Sequence, residues 1–389
     1  MKTVLSLLFI VASLVQVVLG QYKLKDNYTG KKFLEQFTFF HERDPTNGFV
    51  QYQDLQHAKS LGLAFVKGNR FIMKADNKTI APHGRPSIRI HSNKTYSSGL
   101  FVFDINHIPS GCGTWPAFWL LGQTWPNNGE IDIIEGIHNE TKNTITLHTD
   151  NKCSMQGVKQ FMTGAASKYR NCDVHAADQP NNHGCSVSDS KHDSVGRGFN
   201  KNGGGVYAVR WERLTGIQIW FFPRRSIPKD IKSGKPTLKN WGRPTADFPF
   251  GNRCQHEAFK NMRIVLDLTF CGDLAGIPSI SSSYHCPLDC KPNGKVLAKD
   301  EAKNLYLRKV HIPASEESTS LLAEYLAAIL SLKRAVVKNF KTIEYSMSPA
   351  SVTTQVAQVI FWGRSFAMGR GGIKERILQR INIVVYLSV

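Results

Sequence analysis

The feature that most limits the possible folds of this chain is a series of short segments in which apolar and polar residues alternate. Successive side chains of a β-strand point to opposite faces, so strict alternation predicts a strand with one buried face. In Met262–Phe270, for example, every second residue from Met262 is apolar. Clusters of Asn, Gly, Pro and Ser, which are typical of turns, separate the segments. Many such strands with few helical patterns predict an all-β fold, an antiparallel β-sandwich, over residues 21–312. The other alternating segments are Phe101–Ile108, Thr144–Thr149, Gly205–Glu212 and Gly216–Phe222.

The pattern changes after residue 312. Apolar residues there recur at helical spacing, which predicts a partly helical tail of unknown role over residues 313–389. The apolar run that contains them is interrupted by Glu324 and is too short to cross a bilayer, so no stable membrane anchor is expected. The residues at helical spacing are Leu321, Leu322, Tyr325, Leu326, Ile329 and Leu330.

Residues 1–20 contain the basic residue Lys2, an apolar run and the small residue Gly20. This order is typical of a cleaved secretory signal, and a membrane anchor is the alternative. All 8 cysteines lie beyond this segment, and an even number in an exported chain favours disulfides. They can pair in about a hundred ways, among which the sequence does not choose. The paired CxxC spacing of a zinc site is missing, so no metal is expected.

Charge and glycan acceptor sequences both bear on where the protein acts. The net charge of +19 predicts attraction to anionic polymers. No basic helix or RNA-binding motif is present, so no nucleic-acid partner is expected, and an anionic cell wall is the better match for an extracellular protein. A solvated basic surface is the alternative. Asn-x-Ser/Thr sequences, which accept N-linked glycan in exported chains, begin at Asn27, Asn77, Asn93 and Asn139.

The segment Gly129–Gly136, GEIDIIEG, starts as a regular strand and then breaks its alternation. Glu130 and Asp132 are two residues apart and share a face. The next residue on that face would be 134, but the third acid, Glu135, comes one position late. A β-bulge inserts one residue into a strand, so a bulge at residues 133–134 would return Glu135 to the side of the other two acids.

Three aligned carboxylates repel one another, so a fold retains them only where something offsets that repulsion. A retaining glycosidase needs two carboxyl groups about 5–5.5 Å apart, one as nucleophile and one as acid/base. Because a strand rises about 3.3 Å per residue, Glu130 and Glu135 meet this requirement only if the bulge, the twist and the side chains bring them together. Metal ligation and a solvated strand face are the alternatives.

Five segments together resemble the fungal members of glycoside hydrolase family 16, the endo-1,3(4)-β-glucanases or laminarinase-like enzymes. The resemblance implies a concanavalin-like jelly-roll sandwich with a curved substrate cleft and a mechanism that retains anomeric configuration. It implies that Glu130 is the nucleophile and Glu135 the general acid/base, with Asp132 tuning both. The segments are Gly111–Gly122, Trp125–Gly136, Thr146–Thr149, Trp220–Arg224 and Leu266–Asp273.

The resemblance also implies residues that contact substrate. His148 lies on the strand after the acids and can bond substrate or a carboxylate, with a purely structural histidine as the alternative. Trp119 and Trp125 can stack on sugar rings, and core packing is the alternative for each. Arg89 matches an arginine that points toward the cleft in the family.

We therefore expect a secreted endo-β-glucanase that cleaves β-1,3 or mixed β-1,3/1,4-glucan and acts as a monomer without a cofactor. A cell-wall transglycosylase of the same fold and a non-catalytic glucan-binding lectin are the alternatives. The strand that closes the sandwich in this family has no clear counterpart, and Asn304–Ile312 is predicted to replace it. A chain that ends near Ile312 is then expected to keep its activity.

Overall fold

The computed structural model describes residues 22–79, 81 and 83–286, together with the backbone of residues 379–387. Three predictions lie outside the described residues: the secretory signal at residues 1–20, the helical pattern at residues 321–330 and the strand at Asn304–Ile312.

Most strands belong to two eight-stranded sheets. The back sheet consists of β1 (Lys23–Tyr28), β4 (Ala64–Lys67), β5 (Arg70–Met73), β8 (Gly99–His107), β14 (Gly205–Glu212), β15 (Gly216–Pro223), β16 (Ala246–Pro249) and β18 (Gln379–Leu387). The acidic sheet consists of β2 (Phe37–Phe40), β7 (Arg89–Ser92), β9 (Thr114–Gly122), β10 (Glu130–Glu135), β11 (Thr144–His148), β12 (Ala165–Ala166), β13 (Cys185–Ser188) and β17 (Met262–Phe270). A parallel pair, β3 (Val50–Tyr52) and β6 (Arg85–Ser87), forms a separate small sheet.

The strand order is β16-β15-β14-β8-β18-β5-β4 in the back sheet, where β1 also pairs with β18, and β12-β13-β11-β10-β9-β17-β7-β2 in the acidic sheet. Every pairing within these two sheets is antiparallel. The prediction of an all-β, jelly-roll sandwich is therefore confirmed.

The described helices are short and lie in the connections between strands. None of them is long and apolar enough to cross a membrane. They are α1 (Lys32–Gln36), α2 (Leu55–Ser60), α3 (Gly196–Lys201), α4 (Lys229–Lys232), α5 (Gly272–Ala275) and α6 (Pro278–Ser283), with 3₁₀ turns at Arg224–Ser226 and His256–Ala258.

The hydrophobic core lies between the two large sheets. In β9, Phe118 and Leu120 are buried in this core, whereas Trp119 between them is only half-buried on the opposite face. The ring of Phe118 meets that of Phe103 in β8 with their centroids 4.2 Å apart, so side chains from the two sheets interlock. Burying a side chain of this size stabilises a fold by about 1.5–3 kcal/mol. The core thus occupies one face of the acidic sheet and leaves the other for a cleft.

The back sheet is completed by β18, which lies between β8 and β5. Its register pairs Ile383 with Phe103, for example. Residues 379–387 thus form a strand of the sandwich, which differs from the expectation that everything after residue 312 is a separate tail. The role predicted for Asn304–Ile312 stays a prediction, because that segment lies outside the described residues. The run INIVVYL at residues 381–387 is rich in β-branched residues, which favour strands. The expectation for a chain ending near residue 312 is revised accordingly, because such a chain lacks β18.

The described cysteines are all paired, as the composition predicted. Three disulfides join Cys112 to Cys286, Cys153 to Cys254 and Cys172 to Cys185. Cys271 is disulfide-bonded as well. The first bond spans 174 residues of sequence and the third only 13, so they restrain very different lengths of chain.

The predicted glycan acceptors differ in accessibility. Asn27 and Asn93 are exposed, and Asn77 is half-buried. Asn139 is half-buried too, and its Nδ2, the atom that would carry the glycan, donates to Sγ of Cys112 at 3.7 Å. A glycan on Asn139 would have to be accommodated beside the Cys112–Cys286 disulfide. Glycosylation at each position stays a prediction.

Candidate active site

The bulge predicted in β10 is confirmed by the strand register. Toward β11, Asp132 pairs with Thr146 and the next pair joins Glu135 to Thr144. Three steps along β10 therefore oppose two steps along β11, which is the mark of one inserted residue. Toward β9 the register also shifts, between Asp132 and Ile134.

The bulge sorts the side chains of β10 by face. Its isoleucines all lie in the core between the sheets, although two of them are consecutive. Each of the acids Glu130, Asp132 and Glu135 interacts electrostatically with at least one of the others, which places them together on the remaining face. A ligand lying across β10 can therefore reach all three. The buried isoleucines are Ile131, Ile133 and Ile134.

Burial raises the pKa of all three carboxyl groups, and repulsion within the cluster adds to the effect for Glu130 and Asp132. Burial is the main cause for Glu130, and the charge of Asp132 adds to it, so that its pKa rises to about 8. Burial also raises the pKa of Asp132, where the charge of Glu135 contributes, and that of Glu135 itself. Like charges in one buried site cannot all ionise at neutral pH. The cluster therefore holds a proton that an acid-catalysed step can use.

His148 faces the acids from β11, where it is the register partner of Glu130. Its Nε2 lies 3.3 Å from Oδ2 of Asp132. The positive charge of a protonated His148 lowers the pKa of Glu130 and Glu135, opposing the effect of burial. Glu130, Asp132 and His148 each offer one ligand atom, and these three atoms lie within 4.8 Å of one another. This spacing is also compatible with a bound metal ion. The expected absence of a metal stays a prediction.

Two tryptophan indoles hold carboxylates on this face. Trp115 Nε1 donates a hydrogen bond to Oε1 of Glu135 at 3.0 Å, which favours the anion and lowers the pKa of Glu135. Trp119 Nε1 donates to Oδ1 of Asp267 on β17 at 2.7 Å. Trp119, the register partner of Asp132, thus lies on the face of the sheet away from the core, with its ring oriented by Asp267. Its contact with substrate stays a prediction.

Arg89 lies on β7, where its register partner is Asp267. Its guanidinium carbon is 4.9 Å from the ring centre of Phe40 and 5.1 Å from that of Trp119. Its Nη1 is 3.7 Å from Oδ1 of Asp44. Stacking of this kind fixes an aromatic ring, so Arg89 helps to orient Trp119. Its contact with substrate stays a prediction.

Trp125 lies on the connection from β9 to β10 and is 42% exposed. This connection ends at Gly129, which has a φ of +75°. A Cβ atom at this position would lie only 2.5 Å from the carbonyl oxygen of Ala258, so no side chain fits there. The glycine therefore fixes where β10 begins. An exposed aromatic ring just ahead of a carboxylate cluster suits stacking against a sugar.

Comparison with protein families identifies the domain. A model of the XgeA-like catalytic domain of glycoside hydrolase family 16 matches residues 37–303. This chain belongs to glycoside hydrolase family 16. A probable glycosidase of Schizosaccharomyces pombe is 48% identical over 272 residues, which is 69% of this chain and 63% of that protein. An endo-1,3(4)-β-glucanase of Arthroderma benhamiae is 40% identical over 271 residues, 69% of this chain and 59% of that protein. The chain thus spans less than two thirds of the length of these relatives.

Solved structures of family 16 proteins have the same fold. Laminarinase 16A of Phanerochaete chrysosporium, with 6-O-glucosyl-laminaritriose in its donor and acceptor sites, is 41% identical, with a TM-score of 0.66 over 74% of this chain and 95% of that one. An elongating family 16 β-1,3-glucosyltransferase is 38% identical, with a TM-score of 0.64 over 73% of this chain and 92% of that one.

Three residues that shape this family 16 site were not predicted from the sequence. Trp115 and Asp267 could have been found from alternation alone, since Trp115 has the parity of Trp119 on β9 and Asp267 falls on the polar face of β17. Asn143, which bonds to the backbone of the bulge, had no such signal. It precedes β11, and neither its neighbours nor its spacing connect it to the acids.

Proposed function

We propose that this protein is an extracellular endo-β-glucanase that hydrolyses β-1,3 or mixed β-1,3/1,4-glucan with retention of anomeric configuration. The observation that carries the proposal is the bulged strand β10, which presents Glu130, Asp132 and Glu135 on one face of a family 16 domain. The activity named for the Arthroderma relative and the glucan held by the Phanerochaete laminarinase support this substrate class. Disulfides support an oxidising compartment and hence export.

In the first step, Glu130 acts as the nucleophile. Its carboxylate attacks the anomeric carbon, an ester bond to the enzyme forms, and the bond from that carbon to the leaving oxygen breaks. Glu135 transfers its proton to the leaving oxygen, which departs as a hydroxyl of the shortened glucan. A protonated His148 helps by favouring the anionic form of Glu130.

In the second step, Glu135 changes role from acid to base. Glu130 is now an uncharged ester, so the like charge that helped Glu135 retain its proton has gone. Glu135 accepts a proton from water while the water oxygen attacks the anomeric carbon, and the ester bond to Glu130 breaks. Two inversions at one carbon give net retention.

The substrate contacts follow from exposure. Trp125 is the most accessible of the aromatic residues considered for the cleft and is assigned to stacking on a sugar ring. Trp119, oriented by Asp267 and Arg89, forms part of the cleft floor. His148 is assigned to the acids through Asp132 rather than to substrate alone.

The test is the release of reducing ends from laminarin and lichenan by Glu130→Gln and Glu135→Gln. Each substitution removes a group that the chemistry requires, and we expect kcat to fall at least about a hundredfold, since general acid–base catalysis alone contributes ~10²–10⁴-fold. Glu212→Gln, which replaces a partly buried glutamate of the back sheet, is the matched control. Wild-type rates in Glu130→Gln would refute the proposal.

Transglycosylation is the second candidate, because a family 16 β-1,3-glucosyltransferase has a similar structure. The same acids would act, with a sugar hydroxyl in place of water in the second step. Incubation with laminari-oligosaccharides, followed by product sizing, separates the two. Products longer than the donor would establish transfer, and shortened products alone would establish hydrolysis.

A further inference from the structure

Asn143 immediately precedes β11 and is completely buried, with 0% exposure. Its side chain bridges the two ends of the bulge in β10. Oδ1 accepts a hydrogen bond from the backbone N–H of Glu135 at 3.0 Å, and Nδ2 donates to the carbonyl oxygen of Ile133 at 2.8 Å. An inserted residue leaves backbone groups without partners in the strand ladder. The amide of Asn143 supplies the partners that β11 cannot.

The backbone of Asn143 is anchored as firmly as its side chain. Its N–H donates to Oγ of Ser194 at 2.8 Å, and its carbonyl oxygen accepts from the N–H of Asp189 at 2.9 Å. Ser194 is held in turn by the hydroxyl of Tyr207, which donates to its carbonyl oxygen at 2.6 Å. The backbone and the side-chain amide of Asn143 are therefore all hydrogen-bonded, and Asn143 is held in a fixed position next to the bulge.

We propose that Asn143 is a positioning residue that orients the side chain of Glu135. The inference rests on the proposed function, in which Glu135 is the acid/base. The bond from Glu135 N–H to Asn143 fixes the peptide from which the Glu135 side chain projects. Proton transfer in the transition state needs donor and acceptor within hydrogen-bond reach, and small misplacements reduce rates steeply. Loss of the bridge affects Glu135 first, because Glu130 lies before the bulge, where the register is regular.

The role of a leaving-group acid can be isolated by the choice of substrate. Laminarin has a sugar hydroxyl as leaving group, which needs a proton to depart. A 2,4-dinitrophenyl β-laminaribioside has a leaving group that departs as an anion and needs none. Because kcat/KM reports the reaction only through formation of the glycosyl-enzyme, a misplaced Glu135 lowers kcat/KM for laminarin and spares it for the aryl substrate.

Asn143→Ala in the full chain is the first variant. We expect kcat/KM on laminarin to fall at least about tenfold. The loss should not exceed the ~10²–10⁴-fold that a general acid contributes, because Glu135 itself is still present. On the aryl substrate kcat/KM should stay within about threefold of wild type, whereas kcat and KM should fall together, because Glu135 must still act as base on water. Asn143→Asp is the second variant in case the alanine chain does not fold. It keeps the shape and the acceptor for Glu135 N–H, loses the donor to Ile133, and should show the same pattern more weakly.

Asn200→Ala is the matched control. The Asn200 side chain brackets the backbone of Ile108 in the same way, accepting from its N–H and donating to its carbonyl oxygen at 2.8 Å each, away from the acids. It should lower stability and leave both kcat/KM values near wild type. Equal loss on both substrates in the Asn143 variants, or no loss beyond that of Asn200→Ala, would overturn the inference. A wild-type chain that releases no reducing ends would instead refute the proposed function.

Discussion

The ionisation of Glu130 and Glu135 determines the pH range in which the proposed active site can be catalytic. The proposed mechanism needs one carboxyl group ionised and one protonated, so the rate is limited on both sides by the macroscopic pKa values of the cluster. Burial raises the pKa of Glu130 and Glu135 above the ordinary glutamate range. We therefore expect a bell-shaped profile of kcat/KM centred well above pH 4.5.

Asp132 and His148 should move this profile in opposite directions. The charge of Asp132 raises the pKa of Glu130, so Asp132→Asn should shift the acidic limb to lower pH. When it is protonated, His148 lowers the pKa of Glu130 and Glu135, so His148→Gln should shift both limbs to higher pH. Each shift should be about one pH unit, at the lower end of what a neighbouring charge causes. Profiles of kcat/KM on laminarin give the answer, and displacement in the same direction would contradict this account of the cluster.

The raised pKa of Glu130 also makes the stability of the fold depend on pH. The folded-state pKa of Glu130 is about 8, above the ordinary value of an unfolded chain, so the folded state binds this proton more tightly. Stability is then unaffected below about pH 4 and is lost as the pH rises toward 8. Glu130→Gln should raise the melting temperature at pH 7 by several degrees, since about 1 kcal/mol corresponds to roughly 2–4 °C in a domain of this size.

The same pair measured at about pH 3 is the control, because there Glu130 is almost fully protonated whether the chain is folded or not. A gain of equal size at both pH values would show that packing rather than ionisation stabilises the variant.

At the scale of elements, the sequence was informative wherever local alternation carried the signal. The bulge in β10 was predictable because three acids and three isoleucines can be sorted onto two faces only if one residue is inserted. The same reasoning extends to Trp115 and Asp267. It does not reach Asn143, whose role depends on how β11 approaches the bulge. Nor could alternation place β18, because the partner of a strand is chosen by long-range pairing rather than by its own sequence.

The contribution of β18 can be measured with one substitution. Val384 pairs with Val102 of β8 on one side and with Asn27 of β1 on the other. Proline has no N–H and is excluded from the middle of a sheet, so Val384→Pro should destabilise the fold by at least the ~1 kcal/mol of a lost hydrogen bond. Soluble yield and melting temperature report the effect, and Val384→Ile, which keeps the amide, should behave as wild type. Full stability of the proline variant would remove β18 from the sheet.

At the scale of the whole molecule, the disulfides restrain the unfolded chain to different degrees. In the chain-entropy account the stabilisation grows with the logarithm of the loop that a bond closes. Cys112–Cys286 closes 174 residues and Cys172–Cys185 closes 13, so removing the first should cost about 2 kcal/mol more than removing the second. The paired serine variants, compared by thermal melting, should therefore differ by roughly 4–8 °C. Equal losses would indicate that local packing, not loop length, sets the contribution of each bond.

The position of β18 has a consequence for how this protein is made. A ribosome delivers β8 and β5 long before it reaches residue 379, yet these two strands flank the place that β18 fills. Until then the nascent chain carries open strand edges, which readily pair with other chains. Contacts between such distant residues also form slowly. Synthesis therefore leaves a long interval before the back sheet can close around β18.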